Sequence, residues 1–281
     1  MNGLGNDFVV LDARARPLAL APDAVRAIAG RKTGIGCDQV IVLEPSSRAD
    51  AFMRIYNADG GEVGACGNAA RCVAALLSAE NARQDVSIET ESAMLAAHVN
   101  DDGGVTIDMG APRFRWDEIP LSEPFHDTRR IELQLGPIDD PVLHSPSAVN
   151  VGNPHCIFFV DDVGAHDLAR FGPMLEHHPL FPERANISLA QVTGPGSLRV
   201  RTWERGAGLT KACGTAACAA AVAACRRGLT NRQVRVALPG GDLDIDWRED
   251  DDHILMTGPY ALDYEGTLPP ELLAPETSPS P

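Results

Sequence analysis

The chain has 281 residues, a formal net charge of −15 and seven cysteines. That length can hold two domains of ordinary size, and an acidic balance with neither basic clusters nor interleaved aromatics argues against nucleic acid or anionic membrane as partners. No apolar run approaches the ~20 residues of a membrane helix, the start Met1-Asn2-Gly3-Leu4-Gly5-Asn6-Asp7 lacks the basic and apolar regions of a signal peptide, and an odd cysteine count without Cys-x-x-Cys or paired Cys/His spacing fits a reducing, cytoplasmic compartment better than a disulfide framework or a zinc site.

In chain order, Phe8 to Leu11 reads as a short strand, Pro22 to Ala29 as a helix with Pro at its start and Gly30 behind it, and Gln39 to Leu43 as a strand. Ala51 to Tyr56 alternates in the half-buried manner and leads into the turn Asn57-Ala58-Asp59-Gly60-Gly61. A helix then runs from just after Cys66 to about Glu80, followed by strands near Val86 to Thr90, Met94 to Val99 and Val105 to Met109. The stretch Pro120 to Asp140, with one strand at Ile131 to Leu135, reads as a domain connection. Strands follow at Ala148 to Val151, Cys156 to Val160, Ile187 to Val192 and Leu198 to Trp203, with a helix around Leu168 to His177; His177-His178 before Pro179 reads as its end rather than as a ligand pair. A last helix after Thr215 ends at Arg226-Arg227-Gly228, cations and then glycine suiting a helix C-terminus. Val234 to Leu238, Asp242 to Trp247 and Ile254 to Thr257 are strands, and the Pro-rich, polar residues 269–281 are expected to form a disordered tail.

The chain repeats itself. Ala65-Cys66-Gly67-Asn68-Ala69-Ala70-Arg71-Cys72 returns 147 residues later as Ala212-Cys213-Gly214-Thr215-Ala216-Ala217-Cys218, and the same offset carries Gly5-Asn6 onto Gly152-Asn153, Gln39 onto Asn186, Arg54 onto Arg201, Asn57 onto Glu204 and Gly61 onto Gly208. A series of matches at one shift identifies a duplicated unit. The expected architecture is α+β: two pseudo-symmetric domains, each a curled sheet around a central helix, with the active site in the cleft between them. The first domain is expected over residues 1–116, completed by 262–268, and the second over 117–261. The counterpart of the Ala148 to Val151 strand falls largely before Met1, so a shortened first strand or a start further upstream is expected.

In each copy a Cys-Gly step leads into Asn68 or Thr215, residue types favoured at helix N-caps. Each cysteine is therefore expected just ahead of a helix N-terminus, where backbone N–H groups and the helix dipole bind a carboxylate and lower a thiol pKa. One buried cysteine is usually packing; Cys37, Cys72, Cys156, Cys218 and Cys225 take that reading. Two cysteines at equivalent positions of a duplicated unit instead suit removal of a proton from one face of a carbon and return of one to the other, one as thiolate and one as thiol. The repeat breaks where His155 replaces Phe8 and Glu204 replaces Asn57, placing two ionisable groups in the second copy only.

Gly3-Leu4-Gly5-Asn6-Asp7-Phe8, Asp38-Gln39, Asn57-Ala58-Asp59-Gly60, Cys66-Gly67-Asn68, Gly152-Asn153-Pro154-His155, Arg184-Ala185-Asn186-Ile187, Glu204-Arg205-Gly206-Ala207-Gly208 and Ala212-Cys213-Gly214-Thr215 resemble, in order, the motifs of diaminopimelate epimerase. The resemblance covers residue 3 to about 260. It implies an enzyme with no cofactor and no metal that interconverts LL- and meso-diaminopimelate for lysine and peptidoglycan, with Cys66 and Cys213 as its acid/base pair and a homodimeric assembly. Gly67, Asn68, Gly214 and Thr215 would bind the reacting α-carboxylate through backbone N–H groups, with Asn6 and Gln39 near that centre. Asn57, Asn153, Asn186, Glu204 and Arg205 would line the substrate, Arg205 gripping the distal carboxylate, while His155 and Glu204 would each manage the proton of one thiol. The sequence departs from the family's usual pattern at Asn2, Cys37, Ala69 and Ala217. A proline or hydroxyproline racemase is the nearest alternative, and a thiol redox protein or a non-catalytic amino-acid-binding protein would use similar residues.

Overall fold

The computed structural model describes residues 1–64 and 66–273. They form two compact units, one made of residues 1–107 with the segment from Pro259, the other of residues 108–258. The division falls earlier than the expected residue 116 because Arg113 bridges to Asn150 and the Arg226 guanidinium lies 3.8 Å over the Phe114 ring. Likewise Ala261 bridges to Asn2, drawing residues 259–261 into the first unit. Among the described residues no helix is long and apolar enough to cross a membrane.

The first unit contains β1 (Asn2–Gly3), β2 (Asn6–Asp12), α1 (Pro22–Ala29), β3 (Gln39–Glu44), β4 (Ala51–Asn57), β5 (Glu62–Val63), α2 (Gly67–Asn81), β6 (Asp85–Glu89), β7 (Met94–Val99) and β8 (Val105–Asp108). Its strands lie in the order β1-β2-β3-β4-β6-β7-β8, with β5 paired to β4. Neighbours run antiparallel except β2–β3 and β4–β6, which are parallel and need crossover connections, the first through α1 and the second through α2. Helix α2 is alanine-rich and buried around most of its circumference, from Asn68 through Ala75 and at Leu77, as a helix at the centre of a core must be.

The second unit opens with a separate hairpin, β9 (Gln134–Leu135) and β10 (Leu143–His144), shorter than the expected Ile131 to Leu135 strand. There follow β11 (Ser147–Asn150), β12 (Pro154–Phe159), α3 (Leu168–Glu176), β13 (Asn186–Gly194), β14 (Ser197–Glu204), β15 (Gly208–Leu209), α4 (Gly214–Arg226), β16 (Gln233–Leu238), β17 (Gly241–Trp247) and β18 (Ile254–Gly258). The order β11-β12-β13-β14-β16-β17-β18, with β15 on β14, repeats the first unit strand for strand, including its two parallel pairs. Helix α4 touches β11, β12, β13, β14, β16, β17 and β18. A sheet that meets one helix along both ends and its middle has curled around it.

Register shows how faithful the copy is. Phe8 pairs with Gln39 and His155 with Asn186; Tyr56 pairs with Glu62 and Trp203 with Leu209, so an offset of 147 holds on all four strands. Past the central helix it slips by one: Ala51 pairs with Ile88, but Leu198 pairs with Val236. β1 has two residues where β11 has four, and its tight turn puts Leu4 and Gly5 at φ 57° and 77°. The expected tail begins with a 3-10 turn over Pro270–Leu272, and Leu268 and Leu272 pack on the cluster formed by α1, β2 and β3. Residues 274–281 of that expected tail lie outside the described residues.

Candidate active site

The polar residues expected near a substrate sit where the strand registers deliver them. In the first unit Phe8, Gln39 and Asn57 occupy one rung across β2, β3 and β4, and Gln39 Nε2 donates to Asn57 Oδ1 at 2.9 Å. Gln39 Oε1 is buried without a partner among the described residues. Asn6 begins β2, directly after the tight turn, opposite Gly3. The neighbouring Asp7 and Asp38 both accept from Arg31, and Asp38 Oδ2 also accepts from the Asp7 N–H, tying the start of β2 to the start of β3.

In the second unit His155 and Asn186 face each other on β12 and β13, and Glu204 lies one step beyond the Ile187–Trp203 pair on β14. Asn186 donates through Nδ2 to the Pro154 carbonyl at 3.0 Å and accepts the Arg205 N–H on Oδ1 at 3.0 Å. Asn153 Oδ1 lies 2.7 Å from His155 Nε2. His155 is fully buried, and desolvation, helped by the nearby Arg205 charge, lowers its pKa to about 3, so the ring is neutral at pH 7. Its Nδ1 has no partner among the described residues. The Arg205 guanidinium rests on the Glu183 carbonyl at 2.9 Å at an exposed turn.

The cysteines occupy equivalent places, with one correction. Asn68 and Thr215 are not the N-caps. Cys66 and Cys213 are themselves the caps, with extended backbones of φ/ψ −152°/108° and −124°/111°, and Gly67 and Gly214 are the first helical residues. The physical reason is that the turn into the helix is made at the Cys-Gly step, which places Asn68 and Thr215 inside the first turn. The first N–H groups of a helix have no intrahelical acceptor, so both thiols stand beside anion-binding donors.

The expected lowering of a thiol pKa is also reversed at Cys213. Burial and the adjoining Glu204 carboxylate push its pKa well above the ordinary value, outweighing contacts with the Thr215 hydroxyl, 3.4 Å from Sγ, and the Ala216 N–H. Cys213 is therefore a protonated thiol. Glu204 has its own pKa raised by burial, while hydrogen bonds from Thr210 and Cys213 act in the opposite direction. Thr210 went unremarked in the sequence, although a hydroxyl six residues after an acid, across the β14–β15 hairpin, is a signal for such a contact.

Cys66 is half-buried, and the helix behind it is built around Arg71, a fully buried cation. Its Nη2 donates to Asn68 Oδ1 at 2.9 Å and its Nε to the Pro259 carbonyl at 3.2 Å. The structure thus gathers Cys213, Glu204, Thr210 and Thr215 in the second unit, and groups Asn153, His155, Asn186 and Arg205 beside them along the ends of β12, β13 and β14.

Comparison with known proteins gives concordant matches. The sequence model described as Diaminopimelate epimerase matches residues 1–115 and 147–262; the unmatched stretch carries the β9–β10 hairpin, which has no counterpart in the first unit. A diaminopimelate epimerase of Rhodopseudomonas palustris (strain BisB18) is 54% identical over 280 residues, covering 99% of this chain and 96% of its own. One from Methylobacterium sp. (strain 4-46) is 57% identical over 281 residues, covering 98% and 95%. Among solved structures, a hydroxyproline epimerase from Agrobacterium vitis superposes with a TM-score of 0.62 over 92% of this chain and 87% of its own, at 15% identity, and so shares the fold.

Proposed function

Since the chain belongs to the diaminopimelate epimerase family, we propose that it interconverts LL- and meso-diaminopimelate by a two-thiol reaction, supplying meso-diaminopimelate for lysine and peptidoglycan. The observation that carries this reading is the equivalent placing of Cys66 and Cys213 at the N-caps of the two duplicated helices.

In the resting form that starts the reaction, Cys213 is the thiol, held protonated by burial and Glu204, and the two-thiol reaction then requires Cys66 to act as the thiolate. Cys66 Sγ takes the α-proton, the electron pair left on carbon is shared with the α-carboxylate, and Cys213 Sγ gives its proton to the opposite face. The two cysteines have then exchanged roles, and reversal converts the other isomer. Backbone N–H groups of Gly67, Asn68, Gly214 and Thr215 hold the α-carboxylate where negative charge develops, a preorganised arrangement that stabilises the transition state more than the ground state. Asn6 and Gln39 complete that end. Asn57, Asn153, Asn186 and Arg205 bind the distal amino-acid end, which never reacts and serves to orient the substrate. Neutral His155 orients Asn153, and Glu204 manages the Cys213 proton. A homodimer and a cytoplasmic location accompany this reading.

The test is turnover of LL-diaminopimelate by reduced protein in deuterated water, beside Cys66→Ala and Cys213→Ala. Deuterium at the α-carbon together with the meso product, both lost in the two variants, is the expected result. Turnover that survives either replacement rejects the two-thiol mechanism; absence of exchange in the unaltered protein rejects the epimerase.

A further inference from the structure

We propose that Glu176, in the last turn of α3, is a positioning residue for the substrate-binding loop Glu204-Arg205-Gly206-Ala207-Gly208; this deepens the epimerase reading and rests on it. Glu176 is only 3% exposed although it carries a carboxylate, and both of its oxygens are committed to that loop and its root. Oε1 accepts the Gly206 backbone N–H at 3.0 Å, and Oε2 accepts the Trp203 indole N–H at 2.7 Å. The Arg184 guanidinium approaches Oε1 at 3.4 Å and supplies a balancing charge from the surface.

The helix and the loop are pressed together as well as hydrogen-bonded. A Cβ added at Gly172 would lie 2.4 Å from Trp203 Cγ, so α3 seats directly on the residue that leads into the loop. Gly206 has φ 77°, a left-handed conformation that glycine adopts at little cost. Without an anchor, such a turn has many alternatives. Its anchored N–H fixes the direction in which the preceding residue, Arg205, leaves the chain.

The duplication supplies independent support. At the offset of 147, α1 corresponds to α3 and Asp59 to Gly206. In the first copy Arg26 Nη1 of α1 donates to the Asp59 carbonyl at 2.7 Å, and a Cβ at Gly60 would lie 2.8 Å from the Pro22 carbonyl oxygen. The same residue of the same turn is gripped from the same helix in both units, by a cation on its carbonyl in one and by an anion on its N–H in the other. Two opposite chemistries at one place indicate that the holding of the turn is what both copies retain. In the second copy the held turn carries Arg205, which selects a substrate with a second carboxylate.

Glu176→Gln keeps the shape but turns one acceptor into a donor facing a donor; Glu176→Asp keeps the charge and withdraws it by one methylene. Hydrogen exchange of the peptide spanning 204–208, followed by mass spectrometry, is expected to quicken about tenfold or more in Glu176→Gln, with the α4 peptide unchanged, and KM for LL-diaminopimelate to rise about tenfold with kcat within about threefold. Glu176→Asp is expected to fall between, and it decides the matter if the glutamine variant does not fold. A protein whose folded fraction alone had dropped would lose kcat and keep its KM. Loop exchange that is unchanged, or a KM that is unchanged, overturns the proposal. Lack of LL-diaminopimelate turnover by the unaltered protein instead overturns the epimerase reading and with it the substrate role, while the exchange result still decides whether Glu176 anchors the turn.

Discussion

The Glu204 carboxyl adjoins the Cys213 thiol, and its charge adds to the larger effect of burial in raising the thiol pKa. A thiol at a helix N-terminus would otherwise be biased toward thiolate. At Cys213 burial first, and the Glu204 charge second, reverse that bias.

Glu204→Gln removes that charge, so the Cys213 pKa falls and its proton is lost at lower pH. The alkaline limb of kcat/KM is expected to move to lower pH, and the rate at the optimum to fall by about 10²-fold, in the range of general acid–base effects. An alkaline limb that stays in place would show that another group holds the Cys213 proton.

His155 links stability to pH. Its folded pKa is lowered to about 3 by burial and Arg205, while the unfolded value is about 6.5. Between these values the unfolded chain binds more protons, so stability falls as pH falls. From pH 7 to pH 5 this group contributes a loss of about 2 kcal/mol. His155→Phe, which restores the residue type of the equivalent Phe8, is expected to lose that much less over the same interval in urea unfolding, whatever its stability at pH 7.

Arg71→Met leaves the Pro259 carbonyl and the Asn68 side-chain oxygen without the donors that now reach them. Each buried group stripped of a partner costs about 1–3 kcal/mol. The variant is expected to lose about 3 kcal/mol in denaturant unfolding; a loss under 1 kcal/mol would mean that neither contact matters to the fold.

Gly172→Ala sets a methyl against the Trp203 ring. Overpacking of this kind costs about 1–3 kcal/mol, and because the indole must shift, its near-ultraviolet circular dichroism is expected to change. An unaltered spectrum with undiminished stability would show that α3 can slide to make room.

Much of this was legible because the sequence contains its own comparison. The offset of 147 identified both cysteines, both central helices and the residues of the rungs. The exceptions at Phe8/His155 and Asn57/Glu204 marked the ionisable groups. What escaped depends on contacts between distant segments. That Cys66 and Cys213 cap their helices is a matter of backbone angles at a Cys-Gly step, which a preference for Asn or Thr at caps does not settle. The raised pKa of Cys213 comes from burial and from Glu204, nine residues away along the chain. Glu176 looked like any acid near the end of an amphipathic helix; only the folded unit sets it against Gly206 and Trp203.

The constancy of strand register before each central helix has an evolutionary meaning. From Phe8 to Cys66, and from His155 to Cys213, chain length is the same although the residues between have diverged, and the one-residue drift enters only downstream. An insertion upstream would turn a whole ladder over and send its polar side chains to the wrong face. Over those two stretches the halves were thus free to differ by substitution and not by length. A symmetric ancestor could acquire a histidine and a glutamate in one half alone, becoming chemically lopsided while remaining geometrically even.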